Sequence, residues 1–280
     1  MKPFGERLAA AMRERGPLCV GIDPHPALLD AWSLRDDVAG LRSFALRTVD
    51  ELGGRVAALK PQSALFERHG SAGIAVLEEV LAAARASDTL TILDVKRGDV
   101  GSTMTGYAQA YLADGAPLAA DAITLSPYLG LGSLEPAIEL AHNTGRGVFV
   151  LALTSNPEGP TVQHATGPGG RSVAAQVVDG VAHLNARASA GLGSVGLVVG
   201  ATTGTAVRRL GIDLAGSSAP LLAPGFGAQG AGRAEIATVF AGAEHAVLAS
   251  TSRGVLSAGA GGLARAAEQA LATVRAALAD

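Results

Sequence analysis

The segment Leu93-Asp94-Val95-Lys96-Arg97-Gly98-Asp99 puts a carboxylate and an ammonium two residues apart. In an extended chain Asp94 and Lys96 share one face while Val95 takes the other. Inside a protein such ions need partners, and Lys60 and Asp99 are the candidates to complete an alternating Lys-Asp-Lys-Asp array. An ammonium held beside carboxylates can donate a proton or stabilise a developing carbanion. The same four residues would also serve as a salt-bridge network on a strand rim with no chemistry, and spacing alone leaves both readings open.

A second group has the character of an anion site. Gly225-Phe226-Gly227-Ala228-Gln229-Gly230 reads G-x-G-x-x-G, a pattern whose glycines free backbone N–H groups for phosphate oxygens. Its late position argues against a dinucleotide fold, which carries that pattern near its start. Arg253 adds a guanidinium suited to two phosphate oxygens. A plain Gly-rich turn with a surface arginine is the alternative.

The elements that must hold these residues recur along the chain. Branched-aliphatic runs stand at Leu18–Ile22, Val56–Leu59, Leu90–Val95, Ala122–Leu125, Val148–Leu153, Val195–Val199, Leu221–Ala223 and Ala246–Ala249. They are continuous rather than alternating, as strands buried on both faces are. Helix-like segments separate most of them, clearest at Ser71–Arg85 and Gly262–Leu278, with others at Ser133–Ala141, Ser172–Ala190, Thr205–Leu210 and Arg233–Phe240. Phe4, Leu8, Ala11 and Met12 space out one face of a further, N-terminal helix. Eight βα units without a break in composition predict a single α/β domain over residues 1–280, a (β/α)8 TIM barrel. The stretch from Asn156 to Arg171, rich in Pro and Gly, reads as a long surface loop.

In such a barrel the active site lies at the C-terminal ends of the strands. Polar residues following apolar runs are therefore the ones to collect: Asp23, Lys60, Asp94, Lys96, Ser126, Thr154, Ser155, the loop opened by Pro224, and Ser250 to Gly254. Any single one could instead be a helix N-cap.

Composition sets the limits. With 280 residues, 48% hydrophobic, 17% charged and a net charge of -3, the chain is globular and carries no basic field for nucleic acid or an anionic membrane. The uncharged stretch Ala188–Val207 has too much Gly, Ser and Thr for a membrane span. The N-terminus lacks the apolar core of a secretion signal, and the single Cys19 reads as a buried, inert thiol; a cytoplasmic location is the expectation.

Taken together, the strand-end motifs resemble one family. Asp94-Val95-Lys96-Arg97-Gly98-Asp99, followed by Val100-Gly101-Ser102-Thr103, resembles the D-x-K-x-x-D signature of the orotidine 5′-phosphate decarboxylase family. Gly21-Ile22-Asp23-Pro24, Lys60-Pro61-Gln62-Ser63, Thr154-Ser155-Asn156-Pro157, the Pro224–Gly230 loop and Ser252-Arg253 are similar to its other motifs, in order, from residue 21 to 254. The Lys-Pro-Gln-Ser form and the long loop after the fifth strand are similar to the longer bacterial branch. Asn156 departs from members that carry His there.

The resemblance implies cofactor-free decarboxylation of orotidine 5′-monophosphate, without a metal. Lys96 would protonate C6, Asp94 would sit beside the departing carboxylate, and Lys60 and Asp23 would contact the ribose end. Ser155 would meet the pyrimidine edge, while Gln229 and Arg253, on and near the loop opened by Pro224, would hold the 5′-phosphate. It further implies a homodimer in which Asp99 and Thr103 reach the neighbouring subunit's site. Two rivals remain. A metal-dependent phosphosugar synthase or decarboxylase would share D-x-K-x-x-D, although Lys60 would repel its cation and the six His show no ligand spacing. A non-catalytic phosphate- or nucleotide-binding module would keep Gln229 and Arg253 but have no use for the charged array.

Overall fold

The apolar runs form eight parallel strands: β1 Leu18–Ile22, β2 Ala58–Pro61, β3 Leu90–Arg97, β4 Ala122–Leu125, β5 Gly147–Leu153, β6 Val195–Val199, β7 Leu221–Pro224 and β8 Val247–Thr251. Each pairs with the next and β8 returns to β1, closing the (β/α)8 barrel that the sequence predicts. This is a computed structural model, and it describes residues 1–186, 191–226 and 232–279.

Strand alternation sorts the apolar residues into two cores. Leu18, Val20 and Ile22 of β1, Leu93 and Val95 of β3, and Val148 and Val150 of β5 face the outer helices and pack with Phe44, Leu77 and Val178. The intervening residues Cys19, Ala58, Ile92, Ala122, Phe149, Val198, Leu222 and Leu248 face inward and form a separate cluster. One step further along the same inward rows stand Lys60, Asp94, Thr124 and Ser250, all buried and all polar. The barrel therefore has an apolar floor and a polar upper layer, and that layer is where chemistry can happen.

The N-terminal helix Phe4–Arg15 closes the floor. Phe4, Leu8, Ala11 and Met12 are buried against the inward cluster, the face that their spacing predicts. The Phe4 ring meets Phe149 edge-on, with centroids 5.9 Å apart and planes at 88°. Gly147 makes room for this contact, since a Cβ there would lie 2.2 Å from the Phe4 ring. Arg7 pins the helix by pairing with Asp121 and donating to the Gly145 carbonyl at 3.0 Å.

Several boundaries differ from the sequence reading, for physical reasons. β2 begins at Ala58 rather than Val56 and runs on through Lys60 and Pro61; β3 runs on to Arg97 and β8 to Thr251. The apolar run marks burial, but the hydrogen-bonded ladder continues wherever an inward polar side chain finds partners. Two helices, Val38–Leu52 and Gly101–Leu112, were not among those read from sequence. The second starts with poor helix formers, yet Met104, Ala108, Tyr111 and Leu112 bury one face, and that tertiary packing overrides propensity. The helix expected over Ser172–Ala190 spans Val173–Asn185, and residues 187–190 lie outside the described residues. The stretch 156–171 is a loop interrupted by a short helix, Gly159–Gln163, whose Gln163 side chain exchanges hydrogen bonds with Thr154 at the end of β5. Cys19 is buried and its thiol is pushed up to about 12 by burial, so it stays protonated and inert. No described helix is long and apolar enough to cross a membrane.

Truncating Phe4 to Ala removes the floor's central contact and is expected to cost about 3–5 kcal/mol of stability. Urea denaturation of Phe4→Ala beside wild type measures it, and a change below about 1 kcal/mol would show that the helix is not a structural plug.

Candidate active site

The polar layer is organised around one carboxylate. Asp94 points inward from β3, and its Oδ1 accepts from Lys96 Nζ at 2.6 Å and Thr124 Oγ1 at 2.8 Å. Its Oδ2 accepts from Lys60 Nζ at 2.9 Å and Gln62 Nε2 at 3.1 Å. Four donors occupy the roughly four lone-pair sites of a carboxylate, so Asp94 is saturated. Burial pushes its carboxyl up, but the Lys60 and Lys96 charges, with their hydrogen bonds, overcome this and hold it well below the usual carboxylate range. Burial likewise works against the Lys60 charge, and Asp94 with Asp23 reverses that and raises Lys60 above the ordinary lysine value. Removing Asp94 would take from the buried Lys60 the carboxylate it pairs with, at a cost of roughly 3–5 kcal/mol.

The two ammoniums differ in access. The Lys60 side chain is 9% exposed, whereas Lys96 is 48% exposed, so Lys60 fixes Asp94 and Lys96 is free to meet a ligand. Lys96 sits at φ 43°, a left-handed backbone that costs an ordinary residue roughly 1–2 kcal/mol. The β3–β4 register shifts between Leu93 and Arg97, and the Lys96 N–H donates to Thr124 Oγ1 at 2.9 Å. At that bend the Lys96 side chain meets Asp94, with Nζ 2.6 Å from Oδ1.

A cavity of about 880 Å³ opens beside the layer, with Asp23, Lys60, Gln62, Asp94, Pro224 and Arg253 in its wall. Asp23 Oδ1 is buried without a partner among the described residues, a carboxylate oxygen left for a ligand donor. Gly21 allows the loop after β8 to close on β1, since a Cβ there would lie 2.0 Å from Ser252 Oγ. Arg253 follows as the first residue of the short helix Arg253–Leu256 and is exposed. Ser155 is exposed at the end of β5 beside Gly200, outside this cavity wall.

Within one chain the expected four-residue array is a three-residue one. The Asp99 carboxylate accepts from the next backbone N–H, that of Val100, at 2.8 Å, and among the described residues it meets neither lysine. Thr103 is exposed on the first turn of the Gly101–Leu112 helix. Gln229 lies outside the described residues, as do Gly227 and Gly230 of the Gly-rich pattern. Sequence reasoning assigned no role to Thr124 or Gln62. Thr124 sits in the apolar run Ala122–Leu125, where its inward position in the strand period was the available signal.

Among the described residues no group of three His, Cys, Asp or Glu side chains is placed to hold a metal ion. A cation at Asp94 would have to displace an ammonium, so the donor set there suits positive side chains rather than a metal.

Comparison with known proteins agrees with the fold. The model of the orotidine 5′-phosphate decarboxylase / HUMPS family matches residues 16–270. A Salinispora arenicola orotidine 5′-phosphate decarboxylase is 57% identical over 280 residues, covering 99% of each chain. A crystal structure from Streptomyces avermitilis, named as a candidate orotidine 5′-phosphate decarboxylase, superposes with TM-score 0.95 at 54% identity over 100% of this chain and 97% of that one. The Leishmania donovani OMP decarboxylase structure gives TM-score 0.78 at 30% identity over 99% of both chains. With a match that spans both the barrel and the charged strand ends, the chain belongs to the orotidine 5′-phosphate decarboxylase / HUMPS family.

Proposed function

We propose that this chain removes CO2 from C6 of orotidine 5′-monophosphate to give uridine 5′-monophosphate, the last step of de novo pyrimidine synthesis, without a cofactor. The observation that carries this reading is the saturated Asp94, which holds the accessible Lys96 ammonium beside a cavity that reaches Arg253. Breaking the C6–carboxylate bond leaves its electron pair in an sp² orbital that the pyrimidine ring delocalises poorly. The Lys96 ammonium lies where that charge develops, delivers a proton to C6 and regains one from water. Asp94 holds that ammonium in place and stands beside the departing carboxylate. Lys60 and Asp23 face the ribose, and Ser155 the pyrimidine edge.

Magnitudes show that Lys96 is not the whole answer. Unit charges about 4 Å apart interact by roughly 4 kcal/mol at an effective dielectric near 20, only part of a large barrier reduction. The remote 5′-phosphate supplies further binding energy through Arg253, Pro224 and, on the same loop in sequence, Gln229. Because the dipoles around Asp94 are already in place, none need reorganise during the step.

A homodimer with shared sites follows from the same reading. Val100, Tyr128 and Leu129 are each more than half exposed, and the Ser126 N–H donates to the Arg97 carbonyl at 2.8 Å, which brings the β3 and β4 rims together. Such an apolar rim beside Asp99 and Thr103 suits burial by a second copy. That copy would supply Asp99 to complete the array and Thr103 to hold the substrate. A cytoplasmic setting is supported by the single buried thiol.

Lys96→Ala is expected to abolish loss of the orotate ultraviolet band while leaving circular dichroism unchanged; substantial residual turnover would remove Lys96 as proton donor. Arg253→Ala is expected to raise KM far more than it lowers kcat, with partial rescue by added guanidinium, and unchanged kinetics would take Arg253 out of the phosphate site. Mixing inactive Lys96→Ala with inactive Asp99→Ala chains is expected to restore about a quarter of wild-type activity, because one site in each hybrid dimer is then wholly native. No recovery after verified subunit exchange would contradict shared sites.

A further inference from the structure

Thr124 carries the strongest unassigned signal in the molecule. It is 2% exposed, lies on the inward row of β4, and its one hydroxyl joins two parts of the site. Oγ1 accepts from the Lys96 backbone N–H at 2.9 Å and donates to Asp94 Oδ1 at 2.8 Å. The polarity of this pair is fixed: a backbone N–H can only donate and an ionised carboxylate can only accept. A hydroxyl, with one donor and two acceptor positions, is the smallest group that satisfies both at once.

The two bonds meet where the backbone is strained. Lys96 holds a left-handed φ of 43°, within a register shift between β3 and β4, although lysine gains nothing intrinsic from that conformation. Such strain persists only where surrounding contacts hold it, and the Lys96 N–H has its partner in Thr124. The same residue also orients the carboxylate oxygen that the Lys96 ammonium contacts at 2.6 Å. One side chain thus ties both the root and the tip of Lys96.

We infer that Thr124 is a positioning residue, whose hydroxyl locks the bent Lys96 backbone to Asp94 and so aims the Lys96 ammonium at the reacting carbon. Thr124 is not part of the cavity wall that Asp23, Pro224 and Arg253 line, so its loss acts on the chemical step rather than on substrate affinity. This inference rests on the decarboxylase reading above.

Two near-isosteric variants separate this role from simple packing. Thr124→Val keeps the shape and loses the hydroxyl; Thr124→Ser keeps the hydroxyl and loses a methyl. The positioning role predicts that Thr124→Val lowers kcat roughly tenfold to hundredfold with KM nearly unchanged, while Thr124→Ser stays within a few-fold of wild type. A packing role predicts the reverse order. Independently of turnover, hydrogen exchange at the Lys96 amide should accelerate by about tenfold or more in Thr124→Val and stay protected in Thr124→Ser. Full activity or a protected Lys96 amide in a folded Thr124→Val would overturn the inference. If Thr124→Val does not fold, Thr124→Ser decides: a loss of kcat as large as that expected for valine would overturn it. A wild-type protein that leaves the orotate band unchanged would instead overturn the functional reading on which it rests.

Discussion

A carboxylate inside a barrel is tolerated only if its charge is answered from within the fold, and in this protein that demand falls on Asp94. Desolvation favours its neutral acid, while two ammoniums and two neutral donors favour the anion, and the anion wins. Those donors come from β2 and the residue just after it, from β4 and from β3 itself, so the site is stitched across β2, β3 and β4. What looks like a catalytic arrangement is therefore also a structural joint. Its rigidity is what a reaction that develops charge needs, since the environment need not rearrange as the charge appears.

The rest of the barrel can be read as support for that joint. Strand alternation sends one set of apolar side chains outward to the helices and another inward to a dry floor, on which the polar layer rests. The N-terminal helix seals the floor with Phe4 against Phe149. At the opposite end, close approach at Gly21 brings Ser252 and Arg253 over the mouth. Apolar burial below and charge above are successive steps along the same strands.

Much of this was legible in the sequence, and most of the exceptions lie at or near the polar layer. Continuous apolar runs located all eight strands, and the spacing of Phe4, Leu8, Ala11 and Met12 located the plug. Strand ends were read too short at β2, β3 and β8, because hydrophobicity stops where the polar layer starts whereas backbone pairing does not. Asp94, Lys96 and Lys60 could be paired from residue type and period, since buried ions leave few alternatives. Thr124 could not, because a threonine within Ala-Ile-Thr-Leu looks like an ordinary β-branched strand residue. The left-handed Lys96 was invisible for a similar reason: nothing in lysine's chemistry marks a bend, which emerges only from the register shift with β4. Asp99 follows the pattern of the array in sequence, yet lies outside it in a single chain, where its carboxylate caps its own turn. The Val38–Leu52 helix, by contrast, shows clear helical spacing in Leu41, Phe44, Ala45, Thr48, Val49 and Leu52, and its signal was available.

The central claim is that side-chain charge, organised by Asp94, does the work that a metal ion performs in other sugar-phosphate barrels. The most direct test is the initial rate of decarboxylation of orotidine 5′-monophosphate by metal-stripped wild-type protein in excess chelator, followed at the orotate band. The account predicts an undiminished rate that added magnesium, manganese or zinc does not raise. Turnover that vanishes with chelator and returns with one of those cations would contradict it.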